Sequence, residues 1–205
     1  MNYETYTNEL KQYIYDAHKK TLGKISSNIY RGHVRSLSTD IENAIALFVS
    51  KLLPSHEIYI DPSVYVNKKT NRPDIIIVNN KKQVVAMLEI KTQMGYCRNA
   101  EPVINKIKAL DKTFAQARNL VCKFSNVKET TAQNPKEIPV QYPENVKLFL
   151  ISFTDNNCNQ NNHTKNKEYA NSQNVNHFIL FHNWYDEILE NFDIETFAEE
   201  ILKLN

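Results

Sequence analysis

The spacing of apolar positions divides the chain into helical and extended segments. Apolar side chains recur every three to four residues, as in amphipathic helices, over residues 3–20, 38–53 and 102–121. Short runs rich in β-branched and aromatic residues predict strands over 57–66, 72–78, 83–91, 146–153 and 177–182. Residues 79–82 (NNKK) predict a turn, 122–146 a polar loop, and 184–204 one or two acidic helices. Helices covering a mixed sheet are the natural way to bury these strands.

Composition narrows the class of protein. The chain has 205 residues, 41% of them apolar, and only three glycines, which excludes collagen-like and glycine-rich phosphate-binding sequences. No apolar run approaches the roughly 20 residues of a membrane span, and the polar start MNYETYTNEL is unlike a secretory signal. Without an apolar span we expect no membrane partner. Three cysteines without a CxxC pair indicate reduced thiols, so we expect a cytoplasmic protein.

Charge is distributed unevenly along the chain. Residues 67–136 carry 14 Lys and Arg against 5 Asp and Glu, whereas residues 183–205 carry 1 against 7. Such asymmetry suggests one face that could meet a polyanion such as nucleic acid. An ordinary solvated surface is the alternative.

The segment NRPDIIIVNNKKQVVAMLEIKTQ places three charges, Asp74, Glu89 and Lys91, on two otherwise apolar strands. Glu89 and Lys91 are two apart and share a face, and the turn at 79–82 would bring Asp74 toward the 87–89 end of the next strand. The alternative is an exposed hairpin with a surface ion pair worth at most about 1 kcal/mol. The apolar context argues instead for central strands, where an unpaired charge is expensive.

Two carboxylates that converge in this way repel each other unless a cation lies between them. Carboxylate oxygens are the ligands that Mg²⁺ prefers, and the backbone carbonyl of Ile90 could add a third oxygen. Lys91 could orient an attacking water. A divalent metal, a water and a lysine together can hydrolyse a phosphodiester.

Pro73-Asp74, fourteen residues, and then Glu89-Ile90-Lys91 resembles the signature of the PD-(D/E)XK nuclease superfamily. The resemblance implies an α/β protein with a restriction-endonuclease-like core, a central mixed β-sheet flanked by helices in the order α-β-β-β-α-β. An extra N-terminal helix and a C-terminal strand and helices would flank that core. The resemblance also implies that Asp74 and Glu89 bind Mg²⁺ and that Lys91 is catalytic.

Two further residues are candidates for the same catalytic site. Many members of the superfamily add an acid from the helix before the three strands, and Glu42 is the candidate here. Thr39-x-x-Glu42 also matches a capping box, with Ser38 or Thr39 as N-cap, and both interpretations stay open. Gln93, two residues after Lys91, could contact the scissile phosphate or be a polar strand end.

Basic residues outside the strands are candidates for DNA binding. Arg31, His33 and Arg35 in YRGHVRS could contact phosphates or base edges, although a basic surface loop needs no such role. Lys106 and Lys112 on the predicted helix over 102–121 could contact phosphates, or could simply be solvated lysines of an amphipathic helix.

These observations predict one nuclease domain over residues 1–205, with its core at about 38–153 and a C-terminal strand and helices over 177–204. Residues 155–176 hold nine asparagines and predict a mobile insert, either an adaptable DNA-contacting loop or, as we favour, a disordered spacer. The predicted function is Mg²⁺-dependent, site-specific cleavage of double-stranded DNA by a homodimer, as in type II restriction endonucleases. A structure-specific repair, recombination or phage nuclease, and an inactive nucleic-acid-binding module, are the alternatives.

Overall fold

A computed structural model of the chain describes residues 3–22, 37–93, 99–124, 136–155, 159–182 and 189–205. Within these ranges there are five helices: α1 Tyr3–Leu22, α2 Ser38–Leu52, α3 Glu101–Ala117, α4 Gln160–Ser172 and α5 Ile194–Leu202. The strands of the larger sheet are β1 Glu57–Ile60, β4 Ile75–Val78, β5 Val84–Gln93, β8 Lys147–Thr154, β9 Asn176–His182 and β10 Glu190–Asn191. A smaller sheet contains β2 Ser63–Val66, β3 Lys69–Asn71, β6 Asn119–Phe124 and β7 Lys136–Gln141.

The larger sheet is mixed and has the strand order β1-β4-β5-β8-β9-β10. Its first three strands are antiparallel neighbours, β5, β8 and β9 are parallel, and β10 returns antiparallel to β9. The elements α2, β1, β4, β5, α3 and β8 follow one another in the predicted order, with the smaller sheet inserted among them. The predicted α/β class, with a central mixed sheet flanked by helices, is therefore confirmed.

Both faces of the larger sheet are covered, which explains why β4 is apolar at every position. Ile75 and Ile77 point into a core packed by α1, α2 and α5, whereas Ile76 and Val78 point into a second core that includes residues of α3 and of the smaller sheet. All four side chains are fully buried. A strand buried on both faces reads as a continuous apolar run rather than an alternating one.

Around the smaller sheet, four predicted segments differ from the structure. The run 57–66 is two strands, because Asp61 adopts a left-handed backbone (φ 44°) and turns the chain out of the larger sheet. The predicted strand 72–78 begins only at Ile75. The predicted helix over 102–121 ends at Ala117, since Arg118 (φ 59°) also turns, and the predicted polar loop over 122–146 instead contains most of the β6–β7 pair.

The asparagine-rich segment is also different from the prediction. Residues 155–176 were expected to be a mobile insert, yet the described part contains the 13-residue helix α4. The side chain of Asn159 caps it by accepting a hydrogen bond from the Asn162 amide at 3.0 Å. His163, Asn166 and Ala170 form its buried side. Asparagine disfavours helix interiors but favours N-caps, so tertiary packing decides this segment.

The C-terminal region is only partly helical within the described residues. In place of the expected acidic helices over 184–204, the described residues form the two-residue strand β10 and the helix α5. The buried side of α5 packs in the same core as the buried residues of α2. Among the described helices, none combines the length and apolar character that crossing a membrane requires.

Candidate functional site

The aspartate of the predicted motif lies where two central strands separate. Asp74 comes immediately before β4, and the last residue pair between β4 and β5 is Ile75 with Leu88. The Ile90 amide lies beyond that pair and donates to Oδ2 of Asp74 at 2.6 Å. The half-buried Asp74 carboxylate thus adds one hydrogen bond beyond the β4–β5 ladder and lies beside Ile90.

The glutamate of the motif is the most deeply buried charged group among the described residues. Only 4% of the Glu89 side chain is exposed, on the same sheet face as Met87, which the second core covers. Its Oε1 atom accepts from Nζ of Lys91 at 2.7 Å and from Nζ of Lys106 at 2.8 Å. A buried carboxylate needs such partners, because desolvation of an unpaired charge is costly.

The lysine of the motif contacts two oxygens that sequence reasoning assigned to a metal. Nζ of Lys91 donates to Oε1 of Glu89 and, at 3.2 Å, to the carbonyl oxygen of Ile90. These two oxygens therefore converge on one cation. Carboxylate and carbonyl oxygens of this kind are the ligands that a hard divalent cation prefers, and the Asp74 carboxylate, held on the Ile90 amide, is the candidate for a further ligand. In the described ranges, no three acidic, histidine or cysteine side chains are close enough to chelate an ion together.

Glu42 faces this cluster from the first turns of α2. Burial, followed by the nearby carboxylates of Asp74 and Asp61, raises the pKa of Glu42 to about 7, and Lys91 opposes the shift. The capping-box alternative does not match the structure, since the N-cap residue is Leu37 and Thr39 already lies inside the helix. Glu42 thus lies near the acids of the cluster, and its role as an acid of the site stays a prediction.

Asp74 is perturbed in the same direction as Glu42. Burial and the neighbouring Glu89 carboxylate raise the pKa of Asp74, against the lowering effect of the hydrogen bond from the Ile90 amide. A carboxylate that is both buried and close to another carboxylate is costly to ionise. A divalent cation would relieve such repulsion, so these carboxylates are chemically compatible with a metal ligand set, and the metal itself stays a prediction.

The remaining predicted residues are distributed unevenly. Lys106 joins the cluster through Glu89, whereas the exposed Lys112 is turned about 120° around the α3 axis from it. The structure does not bring those two lysines together. The backbone of Gln93 pairs with Thr154 in β5 and β8, but its side chain is outside the described part. Arg31, His33 and Arg35 also lie outside the described residues.

Sequence reasoning missed several polar residues near the cluster. Asp61 was hidden in a run taken as one strand; its amide donates to the Asp74 carbonyl at 2.8 Å. Ser152 pairs with Lys91 across β5 and β8, and Ser152 Oγ lies 3.1 Å from Nε2 of His177. Burial, and then Lys167, lowers the pKa of His177 to about 4. A serine within the apolar run LFLISF was the available signal.

Comparisons with known proteins add little to this site. No protein-family model matches the chain, and no curated protein matches it either. Among solved structures, a cryo-EM structure of a DrdV–DNA complex is similar at 13% identity with a TM-score of 0.33. The match covers 64% of this chain and 12% of the other. At that TM-score the likeness supports no conclusion about activity, so the function must be argued from the site.

Proposed function

We propose that this protein is a Mg²⁺-dependent endonuclease of the PD-(D/E)XK type that hydrolyses phosphodiester bonds of double-stranded DNA. The observation that carries the proposal is the Glu89 carboxylate, buried on a central strand and shared by Lys91 and Lys106, with Asp74 beside it. A charged group buried at this cost in the middle of an α/β sheet favours a functional role.

In this proposal the metal ligands are the carboxylates of Asp74 and Glu89 and the carbonyl oxygen of Ile90. Mg²⁺ held there would act as a Lewis acid on the phosphate and activate the attacking water. Both Lys91 and Lys106 contact Glu89 through hydrogen bonds that the cation would compete with. Each ammonium group is then available to a water or to a phosphate oxygen.

The proposed role of Lys91 is to position the attacking water. About a third of its side chain is exposed (31%), so its ammonium reaches solvent while its base is anchored in β5. The proposed role of Glu42 is to accept a proton or to contact the metal through a water. Its pKa of about 7 allows it to exchange protons near neutral pH.

Positive charge around the acids supports a phosphate-bearing substrate. Lys106 has 55% of its side chain exposed while it contacts Glu89, and Arg72 is exposed two residues before Asp74. Phosphate contacts from such side chains orient a duplex without reading its sequence. Site-specific cleavage of the type II restriction kind, by a homodimer with one site for each strand, is the finer form of this proposal.

The test is digestion of supercoiled plasmid with Mg²⁺ or with a chelator, using the wild-type protein and Asp74→Ala. We expect Mg²⁺-dependent cleavage by the wild type, none by the variant, and DNA binding by both. Glu144→Ala, which removes a carboxylate that is 84% exposed, is the matched control and should cut normally. Cleavage by Asp74→Ala at near the wild-type rate would contradict the proposal.

Sequencing of the fragment ends separates the possible kinds of nuclease. Ends at one short sequence indicate a restriction endonuclease, whereas nicks that follow DNA structure indicate a repair or recombination nuclease. Binding without any cleavage indicates a module that keeps the fold without catalysis.

A further inference from the structure

The asparagine-rich helix α4 carries one buried amide side chain that contacts a different helix. Asn166 is 4% exposed, although its helix is otherwise strongly polar and largely solvated. Its Oδ1 atom accepts a hydrogen bond from the backbone amide of Ala100 at 3.0 Å. Ala100 is itself fully buried. A buried amide without an acceptor is costly, so this hydrogen bond is an anchor rather than a surface contact.

Ala100 is the residue at which α3 starts. It is the N-cap of that helix, and its carbonyl accepts the first helical hydrogen bond from the Ile104 amide at 2.9 Å. Alanine has no side chain that can cap a helix. The side chain of Asn166, which lies on a different helix, therefore holds Ala100, the residue at which the first turn of α3 begins.

A second contact joins the two helices further along. The hydroxyl of Tyr169 donates to Oδ1 of Asn105 at 2.9 Å, and Ala170 packs in the same core as Ile104. Two hydrogen bonds, one at the N-cap residue of α3 and one five residues further along, oppose both rotation and sliding of that helix. Asn105 is next to Lys106, whose ammonium reaches Glu89.

Helix α4 is in turn fixed to the sheet. Lys167 forms an ion pair with Asp193 at 2.8 Å, and the same carboxylate accepts the Ile179 amide of β9 at 2.9 Å. A chain of contacts thus runs from β9 through α4 to α3. It ends at the lysine on Glu89.

We propose that Asn166 is a positioning residue: by accepting the Ala100 amide it fixes where α3 begins and holds Lys106 against Glu89. A rotation of α3 by one residue, about 100° with a rise of about 1.5 Å, would take Lys106 away from that carboxylate. The consequence for DNA, that Asn166 sets one phosphate contact made by Lys106, rests on the proposed function. It gives the asparagine-rich segment a structural task in place of the expected spacer.

The first experiment measures amide hydrogen exchange at Ala100 and needs no DNA. Asn166→Leu removes the acceptor, and we expect exchange about 10-fold faster or more than in the wild type. Asn171→Leu, at an exposed position of the same helix, is the matched control and should exchange like the wild type. Asn166→Asp keeps an acceptor oxygen and should keep Ala100 protected, which gives a second result if the leucine variant does not fold. Unchanged exchange in Asn166→Leu, or lost protection in Asn166→Asp, would overturn the proposal.

The second experiment compares DNA affinity over a range of salt concentrations. Removing one phosphate contact lowers the slope of log K against log salt by about 0.9. We expect this change in Lys106→Met and in Asn166→Leu, but no further change when both are combined. Slopes that add in the double variant would show that Asn166 does not act through Lys106. A wild-type protein that binds no DNA would refute the proposed function, while the exchange result at Ala100 would still decide whether Asn166 fixes the start of α3.

Discussion

Replacing Glu42 with glutamine should stabilise the protein at alkaline pH and leave its stability in acid unchanged. Glu42 lies half-buried at the start of α2, and burial and the carboxylates of Asp74 and Asp61 oppose its ionisation. Glutamine has nearly the same shape and no charge. It therefore resembles the protonated form of Glu42 at every pH.

The size of the effect follows from the pKa of Glu42. The difference between about 7 in the folded protein and the ordinary 4.5, at about 1.36 kcal/mol per pKa unit, sets an upper bound of about 3.4 kcal/mol. Solvent screening of a half-buried group reduces this to about 1–2 kcal/mol. Because the folded-state pKa is the higher one, the loss of stability is absent below about pH 4.5. It grows between about pH 4.5 and 7 and is constant above.

Urea denaturation in a chelator at pH 4 and pH 8 measures this difference in the free energy of unfolding. We expect Glu42→Gln to match the wild type at pH 4 and to exceed it by about 1–2 kcal/mol at pH 8. Adding Mg²⁺ at pH 8 should shrink the advantage, since the cation offsets the same repulsion. Asp40→Asn in the first turn of the same helix is the control and should give no gain at pH 8, because an acid there favours the helix dipole. Equal stability of Glu42→Gln and wild type at pH 8 would refute the placement of Glu42 among these acids.

Three further predictions concern the residues around Glu89. In single-turnover cleavage, Lys91→Ala should slow the chemical step roughly 100-fold with little change in DNA affinity. Lys91→Arg should not restore the rate, because arginine is longer and planar. Full activity of Lys91→Ala would remove the nuclease assignment. Lys106→Met should tighten Mg²⁺ binding in calorimetry by about two- to fivefold, the size of an exposed ion pair that no longer competes; unchanged or weaker binding would contradict that competition. Glu89→Gln keeps an acceptor for both lysines and should fold, but its melting temperature should no longer rise with Mg²⁺, and a rise equal to that of the wild type would exclude Glu89 as a ligand.

The candidate site was partly readable in the sequence because its central residues lie on, or immediately before, adjacent strands. Asp74, Glu89 and Lys91 stand out as charges in apolar runs, and a turn at 79–82 forces their strands together. Asp61 could not be found in this way. It reaches Asp74 only because its left-handed backbone redirects the chain between the two sheets, and no local pattern encodes that bend.

The sequence by itself determined the order of the core elements, since strands buried on both faces must be apolar throughout and amphipathic helices must show one apolar side. Tertiary structure alone decided that the asparagine-rich segment contains the helix α4. The composition of this segment disfavours a helix, but α4 forms where Ala170 is buried in the second core and Asn166 accepts the Ala100 amide. It also decided that Lys106 contacts Glu89, because 17 residues separate the two and only the packing of α3 on the sheet brings them to 2.8 Å. Such contacts depend on how elements dock, which periodicity within one element cannot specify.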